Sequence, residues 1–108
     1  MELQEVQRAV DTWISSKGVR YFNELTNTAL LMEEVGELAR IMARRYGEQS
    51  FKGQESELDM ADEMADILFV LVCLANQTQV NLEEAFVRNM EKKNLRDGRR
   101  HLENPKLK

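Results

Sequence analysis

Between Ile67 and Ala75 nine consecutive residues are apolar, and no other run in the chain is as long. Nine residues fall far short of the roughly 20 that span a bilayer, so this segment is not a membrane anchor. As a helix, Ile67 to Leu74 is apolar on every side, which a helix lying on a protein surface is not. The segment therefore has to be a buried central helix. In a chain of 108 residues the other elements are too few to enclose it, so a homo-oligomer that shares its core is expected. A monomer with a partly exposed apolar face is the competing arrangement.

The rest of the chain is read around that segment. A single proline (Pro105) and five glycines argue against a turn-rich β-sandwich. No stretch alternates apolar and polar residues long enough to make a strand, and four segments carry helical periodicity. The first spans about 2–16, with Leu3, Val6, Val10, Trp13 and Ile14 on one side. The second spans about 26–46 and stops at Gly47, which suits a C-terminal glycine cap, with Arg44 and Arg45 in its last turn. The third starts near Ser56 or Glu57 and runs to about Gln79. The fourth opens at Asn81-Leu82-Glu83-Glu84, a capping-box pattern, and fades near Asp97-Gly98. The expectation is one all-α domain over residues 1–100 with a tail at 101–108.

Charge and cysteine content narrow the function. The net charge of −4 argues against nucleic acid as the main partner. It hides an asymmetry: Glu33 to Asp66 holds ten acids and four bases, whereas Arg88 to Lys108 holds eight bases and three acids. That division suits a site for a cation plus phosphate, and it suits an ordinary solvated surface too. The lone Cys73 makes no intramolecular disulfide and no thiolate zinc site. No basic n-region precedes an apolar stretch at Met1–Asp11, so no signal peptide is expected and the reading is cytoplasmic. Cys73, Met32, Met42, Met60 and Met64 read as core.

Two acidic clusters carry the chemistry. Glu33-Glu34-Val35-Gly36-Glu37 lies in the second helix and Glu63-Met64-Ala65-Asp66 in the third. Glu34 and Glu37 share a side of their helix with Leu30 and Ile41, while Glu63 and Asp66 share theirs with Ile67, Val70 and Leu74. Four carboxylates beside apolar faces raise each other's pKa unless something positive sits among them. Arg40 and Arg44 point away from Glu34 and Glu37 on the helical wheel, so a divalent cation answers the need better than they do. An all-oxygen donor set suits Mg²⁺, with Mn²⁺ as a substitute. The only histidine, His101, lies in the tail, which disfavours a di-iron carboxylate–histidine centre. Acid pairs at this spacing are also common on solvated helix faces, and it is the two pairs together that favour a metal.

The chain resembles the MazG-like all-α nucleoside triphosphate pyrophosphohydrolases. Their signature, EExxE followed by ExxD, appears as EEVGE at 33–37 and EMAD at 63–66, with 25 residues between. The similarity covers residues 5–100, through ALLMEEVGELARIMAR and DEMADILFVLVCLANQTQVNLEEAFVRNMEKK. It implies a four-helix domain completed by homodimer or homotetramer formation, and hydrolysis of a (d)NTP to monophosphate and pyrophosphate with Mg²⁺. It also implies Glu34, Glu37, Glu63 and Asp66 as metal ligands, with Glu33 either supporting them or positioning the attacking water.

The same likeness points to Lys93 and Arg96, with Asn89, as phosphate contacts; here lysine and asparagine stand exchanged relative to the family's pattern. It further implies an aromatic from the first helix or following loop against the base. Trp13, Tyr21 and Phe22 lie there, with Asn23 and Asn27 able to read base edges, although Trp13 also fits the apolar stripe as core. Arg99 and Arg100 read as a solvated tail. Two other functions stay open: a related hydrolase of a different pyrophosphate substrate (phosphoribosyl-ATP or a modified nucleotide), and a helical oligomer that binds nucleotide, metal or a partner protein without turnover.

Overall fold

The first helix, α1 (Leu3–Trp13), presents Val10 inward, and the chain then widens into one turn of π-helix, Ile14–Gly18. Val19 follows with a φ of 72°, a conformation that strains a β-branched residue by about 1–3 kcal/mol. It turns the backbone so that Tyr21 and Phe22 come back beside Trp13. The structure is a computed structural model that describes residues 1–53 and 59–108.

Two long helices follow, α2 (Glu24–Tyr46) and α3 (Met60–Gln77). They lie antiparallel. Asn27 near the start of α2 donates to Gln77 at the end of α3 at 2.8 Å, while mid-α2 acids meet the first turn of α3. Asn23 caps α2 through its side chain, which accepts from the Thr26 amide at 2.8 Å. The helix therefore begins earlier than Thr26, and the Asn23 side-chain oxygen serves as its cap. Gly47 ends α2 in extended backbone, φ −99° and ψ −156°, not in the left-handed cap expected. Its glycine is explained by close approach, since a Cβ there would stand 2.5 Å from the Ala43 carbonyl oxygen. The expected α3 start at Ser56 or Glu57 lies outside the described residues; Asp59 caps the helix, accepting from Ala61 at 2.9 Å.

Gln79, with φ 61°, breaks the chain after α3, and α4 (Leu82–Asp97) leaves at 103°. Asn81 caps it, accepting from the Glu84 amide at 3.1 Å, as its sequence pattern predicts. A short 3₁₀ turn at Pro105–Leu107 closes the tail. The described residues contain four α-helices and no strand, as expected, and no single helix is long and apolar enough to cross a membrane.

The core sits where α1 crosses α3: Val10, Ile14, Val72 and Cys73 pack together, with Val6, Tyr21 and Leu82 against them. A polar network locks the same crossing. Gln7 donates to Asn76 Oδ1 and to the Val80 carbonyl, both at 2.9 Å, and accepts from the Leu82 amide at 2.9 Å. Asn76 donates to the Tyr21 hydroxyl at 3.0 Å, which donates in turn to Asp11 at 2.6 Å. Burial, then the Asp11 carboxylate, push the Tyr21 pKa up to about 12.

The described residues leave this core open on several sides. Among the described residues only six apolar side chains are buried, and α4 buries none. The expected central helix keeps Val72, Cys73 and Ala75 inside but leaves Leu68, Phe69 and Leu71 between 36% and 41% exposed. Met32, Met42 and Met64, expected in the core, are 63%, 40% and 48% exposed among the described residues. The radius of gyration is 17.7 Å, against about 13 Å for a compact globule of this length.

Candidate active site

Helix α2 carries Glu34 and Glu37 one turn apart, and antiparallel packing brings Glu63, in the first turn of α3, against them. One carboxylate oxygen from each of the three lies within 4.8 Å of the other two. Glu34 Oε2 and Glu63 Oε2 are buried with no hydrogen-bond partner. Burial, and then the nearby carboxylates of Glu34 and Glu37, push the Glu63 pKa up to about 7.

This donor set fits a hard divalent cation. Oxygens around an octahedral Mg²⁺ at about 2.1 Å stand about 3 Å apart when adjacent and about 4 Å when opposite, so side-chain shifts of about 1 Å close the cluster on an ion. Buried anionic oxygens without donors are what such an ion satisfies. Asp66 follows Glu63 by one turn on α3, half-buried, outside the tight group of three. Glu33 is exposed on α2 and also lies outside it.

Beside the acids is a cavity of about 290 Å³ lined by Trp13, Gly18, Tyr21, Phe22, Leu30, Phe69, Val70 and Cys73, with Asn27 and Arg20 as polar members. Leu30 is one turn before Glu34 on α2, and Val70 one turn beyond Asp66 on α3, so the cavity adjoins the carboxylates. Trp13 is not the core residue its helical stripe suggested. It is 51% exposed and meets Phe69 edge-to-face, with ring centroids 5.8 Å apart. Phe22 is 57% exposed at the cavity wall.

The basic residues of α4 stand elsewhere. Asn89 Oδ1 accepts from Lys93 Nζ at 2.7 Å, so these two form a local pair. Arg96 and Arg100 both bind Asp97, at 3.1 and 3.4 Å. Burial raises the Asp97 pKa, but the two guanidinium groups outweigh it and hold it below the usual range. Glu63 opens α3 whereas α4 follows its far end, about 20 Å along the axis at 1.5 Å per residue. Asn89 lines a separate hollow with Leu3, Leu68, Leu71 and Phe86, and neither it nor Lys93 nor Arg96 lines the aromatic cavity beside the acids.

Sequence reasoning passed over Phe69 and Gln77. The signal was present for the second: Asn76-Gln77 is a polar pair placed directly after the longest apolar run, where a buried helix end needs hydrogen-bond partners.

The sequence model of the MazG nucleotide pyrophosphohydrolase domain matches residues 22–101. YpjD of Bacillus subtilis strain 168 is 46% identical over 95 residues, covering 88% of this chain and 86% of that protein. The crystal structure of YpjD superposes with a TM-score of 0.80 at 44% identity, covering 90% of this chain and 97% of that one. A crystal structure described as the Bacillus-conserved MazG protein, a nucleotide pyrophosphohydrolase, gives 0.74 at 35% identity, covering 90% and 94%. A domain match over most of the chain, joined to relatives of this similarity and length, places the protein in the MazG nucleotide pyrophosphohydrolase family.

Proposed function

We propose that this chain hydrolyses a nucleoside triphosphate to monophosphate and pyrophosphate, with water attacking the α-phosphorus and Mg²⁺ (or Mn²⁺) held by Glu34, Glu37, Glu63 and Asp66. The observation that carries the reading is the placement of two unpartnered buried carboxylate oxygens beside an aromatic-walled cavity. When bound, the cation neutralises charge on the phosphate oxygens and lowers the pKa of an attacking water. The chain's own residues do the rest. Trp13 and Phe22 offer ring faces to a base in the cavity, which fixes the α-phosphate over the acids one turn away. A carboxylate of the cluster accepts the proton that the water loses. Glu33, exposed beside the cluster, positions that water from its open side.

Lys93, Arg96 and Asn89 complete the proposal as contacts for the departing pyrophosphate, supplied by a second copy of the chain. The open core, the large radius of gyration and the apolar hollow formed by Leu3, Leu68, Leu71, Leu82 and Phe86 all favour a homodimer or homotetramer. Hydrolysis in ¹⁸O-water tests the reaction. Label in the monophosphate supports attack at the α-phosphorus, and label in the pyrophosphate contradicts it.

A further inference from the structure

Asn27 is the one buried polar residue among those described, 4% exposed, and it lines the aromatic cavity. Its orientation is set by a group that cannot turn round. The Phe22 carbonyl only accepts, and it takes hydrogen bonds from Asn27 Nδ2 at 3.3 Å and from Gln77 Nε2. With its nitrogen committed there, Gln77 presents Oε1 to Asn27, which donates to it at 2.8 Å. Reversing either amide would set oxygen against oxygen. Both N–H donors of Asn27 are thus used, and its Oδ1, which can only accept, is the atom that faces a ligand's donors. Asn27 has only an acceptor left to give a ligand.

From this we infer that Asn27 determines base preference, its Oδ1 accepting from an exocyclic amino group on the pairing edge of the base, so that the enzyme favours cytosine and adenine nucleotides over their keto counterparts. The inference rests on the pyrophosphohydrolase reading above. An amino group projects beyond the ring and meets a single acceptor unhindered. The N3–H of uracil or thymine is flanked by two carbonyl oxygens, which the Asn27 oxygen repels. Leaving a buried acceptor unpaired or opposed is costly, which makes this kind of contact selective. Gln77 touches no base in this arrangement and is a positioning residue. Its carbonyl holds the Asn27 amide from rotating.

The test is binding, so that it does not depend on turnover. Titration calorimetry with the α,β-imido analogues of dCTP, dUTP, dATP and dITP, in Mg²⁺, compares pairs that differ at the amino position. The expected result is about 10-fold or more tighter binding of the amino member of each pair. Equal binding within both pairs, or a preference for the keto members, overturns the inference while leaving the pyrophosphohydrolase reading intact. Failure of all four to bind also overturns the inference, and hydrolysis in ¹⁸O-water decides the pyrophosphohydrolase reading separately. Gln77→Leu frees the Asn27 amide to rotate, and the amino-to-keto ratio is expected to fall toward one. An unchanged ratio in a folded Gln77→Leu protein contradicts the positioning role.

Discussion

Glu34 and Glu63 stand on different helices, each buries a carboxylate oxygen that no hydrogen bond satisfies, and both belong with Glu37 to one cluster whose ligand oxygens lie within 4.8 Å of one another. Carboxylates crowded in this way are unfavourable in the protein alone and favourable around a cation. Glu63→Gln is therefore expected to act in opposite directions. It should reduce kcat/KM by about 100-fold or more, and it should remove the rise in Tm that Mg²⁺ gives the unaltered protein. The metal-free Glu63→Gln protein should melt no lower than its parent, because one charge has left a crowded site. Thermal melts with Mg²⁺ and with EDTA, beside steady-state rates, check all three.

The pH dependence follows from the same residue. In the metal-free protein the Glu63 pKa is raised from 4.5 to about 7, so the folded state holds this proton more tightly than the unfolded one. The contribution to stability is present below the unfolded value and is lost as pH rises through about 7. Mg²⁺ requires the ionised carboxylate. The Mg²⁺-induced rise in Tm should thus be larger at pH 8 than at pH 6, and melts in EDTA and Mg²⁺ at the two pH values measure it.

Trp13 is the single tryptophan, half-exposed at the mouth of the aromatic cavity. Its fluorescence should change on nucleotide binding, with saturation giving Kd. Trp13→Ala should raise KM by about 10-fold, in line with about 1–3 kcal/mol for base stacking on an aromatic ring. Trp13→Phe should recover most of that loss. Steady-state kinetics on the two variants provide the check.

Phe86, 57% exposed in one chain, lines the apolar hollow with Leu68 and Leu71. Sedimentation equilibrium at micromolar concentration should give a dimer or tetramer, and Phe86→Glu should shift it toward monomer with its helical circular dichroism retained. If the α4 cations act across the interface, activity should fall together with assembly, and activity measured across a dilution series shows whether it does.

Helix number, the Asn81 cap and the acid signature were legible because each is a local pattern: periodicity, a capping box, carboxylates at one-turn spacing. What escaped depends on contacts between distant segments. Asn23 was legible only as a polar side chain near aromatics, and its capping role appears once α2 is seen to start at Glu24. Trp13 sits on an apolar stripe like a core residue, yet Phe69, 56 positions away, turns it into a cavity wall. The methionines looked buried because apolar helix faces generally are, yet the described residues leave Met32, Met42 and Met64 substantially exposed. Asn27 pairs with Gln77 across 50 positions, a contact no local rule reveals.

Pyrophosphate release from a panel of ribo- and deoxynucleoside triphosphates, with Mg²⁺ and with EDTA, decides whether the acid cluster supports metal-dependent hydrolysis. Equal amounts of monophosphate and pyrophosphate are expected in Mg²⁺ and none in EDTA. Release that persists in EDTA, or the absence of release from every triphosphate in the panel, would contradict that role of the cluster.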